Sequence, residues 1–314
     1  AFLNMLQLIG WTSIMIYDAM LALQELAPLS PMIWTTAIGA LVILWLFIGL
    51  HNTGYIQAIV SVLLLGLTLY MGAHMISQWP NEGSLLTSGN MSFIAALELS
   101  IAMPLSWLPL ISDYTRESKK PFSASLTSAT VYTVTSIVMY TLGLSAAIFG
   151  GGDSIITIMM NAGLGLAGLI VIIFSTVTTT FMDAYSAGVS STTIYNGASS
   201  KGIAVIVTIV GTIAAILYPM DDITDFLYLI GSVFAPMIAI LLADYFINRQ
   251  QVQTVSAYLV RGLIWAVSVG LYHYMLHSES TIGSTLPTFT MAFAVTAIVG
   301  FISKTAHTSA EIKQ

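Results

Sequence analysis

The stretch FIAALELSIAMPLSWLPLIS, residues 93–112, decides the fold class of this chain. As a helix it is long enough to cross the hydrocarbon core of a bilayer, and Glu98 is its one charged residue. Pro104 and Pro109 both lie inside it, and each removes a backbone hydrogen bond and crowds the preceding turn. The stretch therefore predicts a membrane-spanning helix that is unwound or kinked around residues 103–107.

The composition of the whole chain agrees with this reading. Of its 314 residues, 57% are hydrophobic and only 7% are charged, whereas about one quarter of an ordinary soluble domain is charged. So few charges cannot cover a water-facing surface, and helices span a bilayer because they satisfy their own backbone hydrogen bonds. The absence of cysteine excludes disulfides and thiolate metal sites. The eight Lys and Arg residues are scattered, which argues against nucleic-acid binding.

Ten such apolar stretches predict an all-α polytopic membrane protein with one transmembrane transporter domain over residues 1–314. They lie near 1–24, 33–50, 54–76, 93–112, 124–148, 163–190, 203–219, 224–247, 256–275 and 285–303. The chain starts inside an apolar helix, without the features of a signal peptide, so we expect it to be truncated at its N-terminus. The alternative is a mature N-terminus left by processing.

The basic residues predict the orientation of these helices. The loops after every second stretch contain basic residues, and the alternate loops contain none. The basic residues in question are Arg116, Lys119, Lys120, Lys201, Arg249, Lys304 and Lys313. Because Lys and Arg concentrate in cytoplasmic loops, this alternation predicts a cytoplasmic C-terminus in a plasma or inner membrane.

Polar groups inside a bilayer are costly and therefore mark candidate functional sites. Transporters use broken helices to direct free backbone groups at a substrate near the midplane, and Ser106 and Trp107 lie at the break between the two prolines. Both are candidate substrate contacts, and the alternative is a structural kink with Trp107 facing lipid. Glu98 is either a proton-coupling group or part of an outer vestibule.

The stretch 163–190 carries a second polar group. At about 100° per residue, one face of its helix contains Ser175, Thr178, Thr179, Met182, Asp183 and Ser186. Hydroxyl and carbonyl oxygens suit a small hard cation, so we interpret Ser175, Thr178 and Thr179 as a Na⁺ site. Asp183 is a possible coupling residue. The alternative is that the hydroxyls bond to the preceding turn or hold helices together.

The first helix carries Gln7, Trp11 and Asp18 along one stripe. A carboxamide and an indole one turn apart could pair with and stack on a planar heterocycle. The alternatives are a core or lipid-facing Trp11 and an exposed Asp18. Asp113 and Asp244 lie at helix ends and are expected at the interface. The sequence contains no HExxH motif, nucleophile elbow or filter segment, and its histidines lack metal-ligand spacing, so we expect no enzyme, channel, resident metal or cofactor.

At these residues the chain resembles the nucleobase:cation symporter-1 family. The resemblance is strongest to its cytosine-permease-like branch of hydroxymethylpyrimidine (thiamine precursor) transporters. It is carried, in order, by LQLIGWTSIM (6–15), MPLSWLPLISDYTRES (103–118), FSTVTTTFMDAYSAG (174–188) and ADYFINRQ (243–250).

The resemblance implies a LeuT-like inverted-repeat fold in which this chain supplies ten of twelve helices and lacks the first two. It implies that Trp11 stacks on the substrate and that Ser106 hydrogen-bonds it. It also implies that the Ser175 carbonyl and the Thr178 and Thr179 hydroxyls bind Na⁺. The expected function is Na⁺-coupled import of a pyrimidine or nucleobase-like substrate. The alternatives are a proton-coupled permease for another nucleobase, a hydantoin or an amino acid, and, more remotely, a membrane-embedded enzyme.

Two departures from the family pattern affect the substrate. Gln7 lies one residue farther from Trp11 than the substrate-binding glutamine of the cytosine permeases. Pro104 stands where those relatives have an aromatic residue, which argues for a substrate other than cytosine, and Trp107 could take over the stacking. No nucleic acid and no obligate protein partner is expected.

Overall fold

A computed structural model of the chain contains only helices as regular elements in the part that it describes. That part comprises residues 1–26, 28–48, 53–77, 91–115, 118–149, 163, 165–220, 222–249, 254–278 and 281–311. The side chains of Asp113 and Lys304 and the whole of Arg116 and Lys313, all used above in the sequence interpretation, lie outside it.

Each of the ten predicted stretches forms a helix, and most ends are shifted by one to four residues, although the last helix continues eight residues beyond its predicted end. The helices are α1 (Phe2–Leu26), α2 (Pro31–Ile48), α3 (Thr53–Ser77), α4 (Phe93–Thr115), α5 (Pro121–Phe149), α6 (Gly165–Ile194), α7 (Ser200–Leu217), α8 (Ile223–Leu242), α9 (Val255–His277) and α10 (Thr285–Glu311). Pro31 and Pro121 stand at the first position of their helices, where a missing N–H costs nothing.

Helix α4 corrects one prediction. It remains helical from Phe93 to Thr115 through both Pro104 and Pro109, so the expected unwinding is wrong. A proline removes only one hydrogen bond, and side-chain hydroxyls help to satisfy the backbone of a membrane helix beside it. Between the two prolines, the Ser106 hydroxyl donates to the Met103 carbonyl at 2.7 Å.

The ten described helices are all long and apolar enough to cross a membrane. Their outward side chains are largely apolar: among the exposed large residues are Leu63 on α3, Leu126 on α5 and Leu263 on α9. In the span Pro121–Ser145 of α5, no residue is buried. Lipid is the solvent that fits such a surface, and the chain is a multi-pass membrane protein.

The Cα positions group into two compact units. Unit 1 comprises Ala1–Ser88 and Leu110–Asp222, and unit 2 comprises Gly89–Pro109 and Ile223–Gln314. In unit 1, α1 packs along α6 and α7, and α2 packs on the same three helices. In unit 2, α8, α9 and α10 pack on one another. The single domain over 1–314 stays a prediction.

Helices α1 and α6 of unit 1 run antiparallel. Leu8, early in α1, shares a core cluster with Ala184 and Ala187, late in α6. Further along α1, Ile16 shares a second cluster with Ile173, early in α6. The segment of α1 between Leu8 and Ile16 therefore faces the polar segment of α6.

Helix α8 of unit 2 continues as a π-helical turn, Ala243–Asn248. The turn ends at Arg249, whose φ of 49° is left-handed, a conformation that terminates a helix. Such π turns are rare and recur at functional positions in proteins.

Candidate functional site

A polar contact connects α1 and α6 within unit 1. The Gln7 amide donates to Asn4 Oδ1 at 2.7 Å, and the Asn4 amide donates to Ser190 Oγ at 2.8 Å. Gln7 and Asn4 are both buried. Sequence reasoning singled out Gln7 but missed Asn4 and Ser190. The signal for Asn4 was a carboxamide three residues from Gln7 in an apolar helix.

This contact places Trp11 and Asp183 at the same level of the helix pair. In an antiparallel pair, Trp11 lies seven residues beyond Asn4, and Asp183 lies seven residues before Ser190, about 10 Å along the axis in each case. Both side chains are only 6% exposed. The structure therefore brings the predicted stacking residue and the predicted coupling residue to one depth.

The Asp183 side chain on α6 is buried. No hydrogen bond or ion pair is found for it within the described ranges. A carboxylate at membrane depth is costly unless it is paired, hydrated or protonated. The polar face of α6 also contains the buried side chain of Ser186, as predicted.

Two of the three predicted Na⁺ ligands lie side by side. The Thr178 hydroxyl is buried and donates to the Ser175 carbonyl at 3.1 Å, while Ser175 and Thr179 are half-buried. The same bond is also the local bond to the preceding turn that the alternative reading expected. The oxygens are adjacent under either interpretation.

Thr180 is a polar residue that sequence reasoning missed. It is fully buried, and its hydroxyl has no hydrogen-bond partner among the described residues. Most Ser and Thr hydroxyls of these helices bond to the preceding turn, as Thr208 does to the Ala204 carbonyl at 2.9 Å. The available signal was the position of Thr180 in the run of three threonines, three residues before Asp183.

The α4 candidates lie in unit 2. Ser106 is 2% exposed, Trp107 is half-buried, and Glu98 is 7% exposed. The Glu98 carboxylate accepts the backbone N–H groups of Ser284 and Thr285 at the start of α10. Sequence reasoning located Glu98 but not this contact.

Two carboxylates at other positions have clear outcomes. Asp18 is exposed, whereas Gln7 and Trp11 on the same predicted stripe are buried, so the alternative interpretation of Asp18 holds. Asp244 forms a two-pronged ion pair with Arg261, with Nε–Oδ2 and Nη2–Oδ1 distances of 3.1 and 2.9 Å. The Asn248 amide donates both to Asp244 Oδ1 at 2.7 Å and to the Thr296 carbonyl at 3.1 Å.

No other ligand site emerges from the described part of the chain. It contains no group of three or more His, Asp or Glu side chains that could hold a metal. An open cavity of about 530 Å³ beside α5 is lined by Lys120, Ser123 and Thr127 and includes none of the predicted site residues.

The sequence matches, over residues 2–312, the family described as permeases for cytosine/purines, uracil, thiamine and allantoin. The chain belongs to this family. The predicted family is thereby confirmed, and its members in these comparisons are permeases and transporters rather than enzymes.

The comparisons also include curated relatives. Cytosine permeases of Escherichia coli strains K12 and O157:H7 are each 25% identical to the chain over 185 residues. Each alignment covers 58% of this chain and 44% of the permease, so the chain matches less than half the length of these relatives.

One solved structure shares the fold. It is that of Mhp1, a nucleobase-cation-symport-1 family transporter in a closed conformation with bromovinylhydantoin bound. It superposes with a TM-score of 0.76 and 16% identity, covering 97% of this chain and 75% of that chain. The predicted all-α, LeuT-like transporter fold is confirmed.

Proposed function

We propose that this chain forms the membrane core of a secondary transporter that imports a pyrimidine or nucleobase-like substrate together with Na⁺ by alternating access. Family membership and the fold support a transporter. The observation that carries the proposal lies in unit 1, where Trp11 on α1 and Asp183 on α6 are buried at the same depth and no partner of Asp183 is found among the described residues. Burying such groups costs free energy that apolar packing would avoid, which is typical of a transport site.

In unit 1, the proposed substrate contacts are Trp11 and Gln7 on α1. In unit 2, Ser106 and Trp107 on α4 are proposed separately as substrate contacts. Trp11 offers an aromatic face for a planar ring, and Gln7 is held by its bond to Asn4 rather than by solvent. We propose hydroxymethylpyrimidine as the substrate, because the chain resembles the branch of hydroxymethylpyrimidine transporters. Pro104 replaces the aromatic residue of the cytosine-specific relatives, which argues against cytosine.

The proposed Na⁺ ligands are the Ser175 carbonyl and the Thr178 and Thr179 hydroxyls. Oxygens 3.1 Å apart, like those of Ser175 and Thr178, can share one hard cation at about 2.4 Å from each. Proton coupling is the second candidate, because the Asp183 carboxyl lies without a partner within the described ranges. We further propose a cytoplasmic C-terminus, on the side of Lys201 and Arg249.

The test is uptake of radiolabelled hydroxymethylpyrimidine by cells that express the full-length gene, with and without a Na⁺ gradient. We expect Na⁺-dependent uptake that unlabelled hydroxymethylpyrimidine inhibits and cytosine does not. Uptake that follows the proton gradient instead would overturn Na⁺ coupling. Absence of uptake, with the protein present in the membrane, would overturn the proposed substrate.

A further inference from the structure

The buried carboxylate of Glu98 connects two elements of unit 2. Its Oε1 atom accepts backbone N–H groups from Ser284 and Thr285, which open α10 and are themselves 1% and 6% exposed. The first N–H groups of a helix have no partner within the helix and carry its positive dipole end. A carboxylate from a residue 186 positions away in sequence satisfies them here.

The residues next to this contact leave space for it and extend it. Gly283 precedes the two donors with φ of 75°, in the left-handed region that favours glycine. A Cβ atom at this position would lie only 2.6 Å from Glu98 Oε1. The Thr285 hydroxyl in turn donates to the Tyr272 hydroxyl at 3.4 Å, which extends the contact from α10 to α9.

The position of Glu98 on α4 matters for the proposed site. Ser106 follows Glu98 by eight residues, about 12 Å along the same helix, and Trp107 comes next. Pro104 lies between them, but α4 remains helical from Phe93 to Thr115. A fixed point before the proline therefore determines where the Ser106 and Trp107 side chains are presented.

We propose that Glu98 is a positioning residue: it anchors the first half of α4 to the N-terminus of α10 and thereby holds Ser106 and Trp107 for the substrate. Oε1 is engaged by two N–H groups, so Glu98 acts through these contacts rather than as a substrate ligand or proton carrier. This inference rests on the proposed function, because Ser106 and Trp107 are its substrate contacts.

The first experiment separates anchoring from proton coupling by kinetics. Glu98→Gln keeps an acceptor oxygen but not the titrating group, whereas Glu98→Ala removes both, and Glu98→Asp withdraws the oxygens by about 1.5 Å. Displacing a positioned group by about 1 Å can cost up to about 100-fold. We expect Glu98→Ala to raise KM about tenfold and Glu98→Asp to raise it less. Glu98→Gln should stay within about threefold of wild type, with its pH dependence unchanged.

Two further variants provide controls. Gly283→Ala approaches the same contact from the other side and should raise KM as Glu98→Ala does. Glu25→Ala removes an exposed carboxylate at the end of α1 and should leave KM unchanged. Wild-type KM in Glu98→Asp and Gly283→Ala, or a Glu98→Gln variant as impaired as Glu98→Ala, would overturn the proposal.

A second readout does not depend on transport. Hydrogen exchange of the segment 281–290 should accelerate in purified Glu98→Ala, because two of its amides lose their acceptor, and should not change in Glu25→Ala. The chain has no cysteine, so Trp107→Cys creates a single thiol. Its rate of maleimide labelling should change when Glu98→Ala is added.

If wild type shows no uptake, the proposed function fails, but the proposed anchoring role of Glu98 does not fail with it. Unchanged exchange and labelling would overturn the anchor.

Discussion

The α1–α6 interface of unit 1 and the charged contacts of unit 2 both contain buried or partly buried polar groups, but the two regions differ in whether these groups have partners. In unit 2, Glu98 accepts two helix N–H groups and Asp244 pairs with Arg261. In unit 1, Asp183 and the Thr180 hydroxyl are buried, and no partner is found for either in the described ranges. A partnered group stabilises the fold, whereas a group without a partner costs stability and remains available to a ligand.

The largest effect is expected from the proposed Na⁺ ligands. Thr178→Ala and Thr179→Ala each remove a hydroxyl oxygen, and either change should abolish the Na⁺ dependence of uptake while the protein still reaches the membrane. The control is Thr193→Ala near the end of α6, whose exposed hydroxyl bonds to the Ser190 carbonyl. Unaltered Na⁺ dependence in both test variants would exclude this ion site.

Neutralising Asp183 should come next in size. Asp183→Asn conserves shape but removes the charge and the titrating proton, and we expect it to lower uptake at least about tenfold. Thermal unfolding in detergent should show no loss of stability, because the described residues contain no partner that the change would leave behind. Normal uptake with normal pH dependence would show that Asp183 takes no part in coupling or binding.

Asp244→Asn, in contrast to Asp183→Asn, should lower the stability of the protein. It leaves the partly buried Arg261 without its counter-charge and weakens the network through Asn248, so we expect a loss of about 2 kcal/mol in the free energy of unfolding. The measurement is the Tm of the purified protein, with Asp18→Asn, which neutralises an exposed carboxylate on α1, as control. An Asp244→Asn protein as stable as wild type would mean that this ion pair contributes nothing to the fold.

The smallest effects come from a matched pair of fully buried threonines. Thr208→Val loses the bond to Ala204 and should reduce the free energy of unfolding by about 1 kcal/mol. Thr180→Val loses no hydrogen bond to the described residues, so its free energy of unfolding should be unchanged or higher by up to about 1 kcal/mol. If Thr180→Val lowers the Tm as much as Thr208→Val does, the Thr180 hydroxyl has a partner. The buried polar groups of unit 1 would then be partnered like those of unit 2.

The orientation of the α6 face illustrates how far the sequence pattern could predict the site. The ideal helical period grouped Thr178, Asp183 and Ser186, and all three are buried. It left out Thr180, because the surface that α6 buries is set by the helices α1, α2 and α7 that pack against it and not by α6 alone. The break in α4 was overestimated for a related reason: a pattern shows that Pro104 removes a bond, but not how neighbouring groups compensate.

The sequence by itself predicted the ten apolar helices of membrane-spanning length that the described part of the chain contains, where most of them begin and end, and the family to which the chain belongs. Each of these follows from the length, hydropathy and order of local segments, which a linear chain carries directly. Only the tertiary structure decided that Glu98 caps α10, that Asp244 pairs with Arg261, and that Trp11 and Asp183 share one depth. Those contacts join distant parts of the chain, and no local pattern encodes which distant group will satisfy a buried charge.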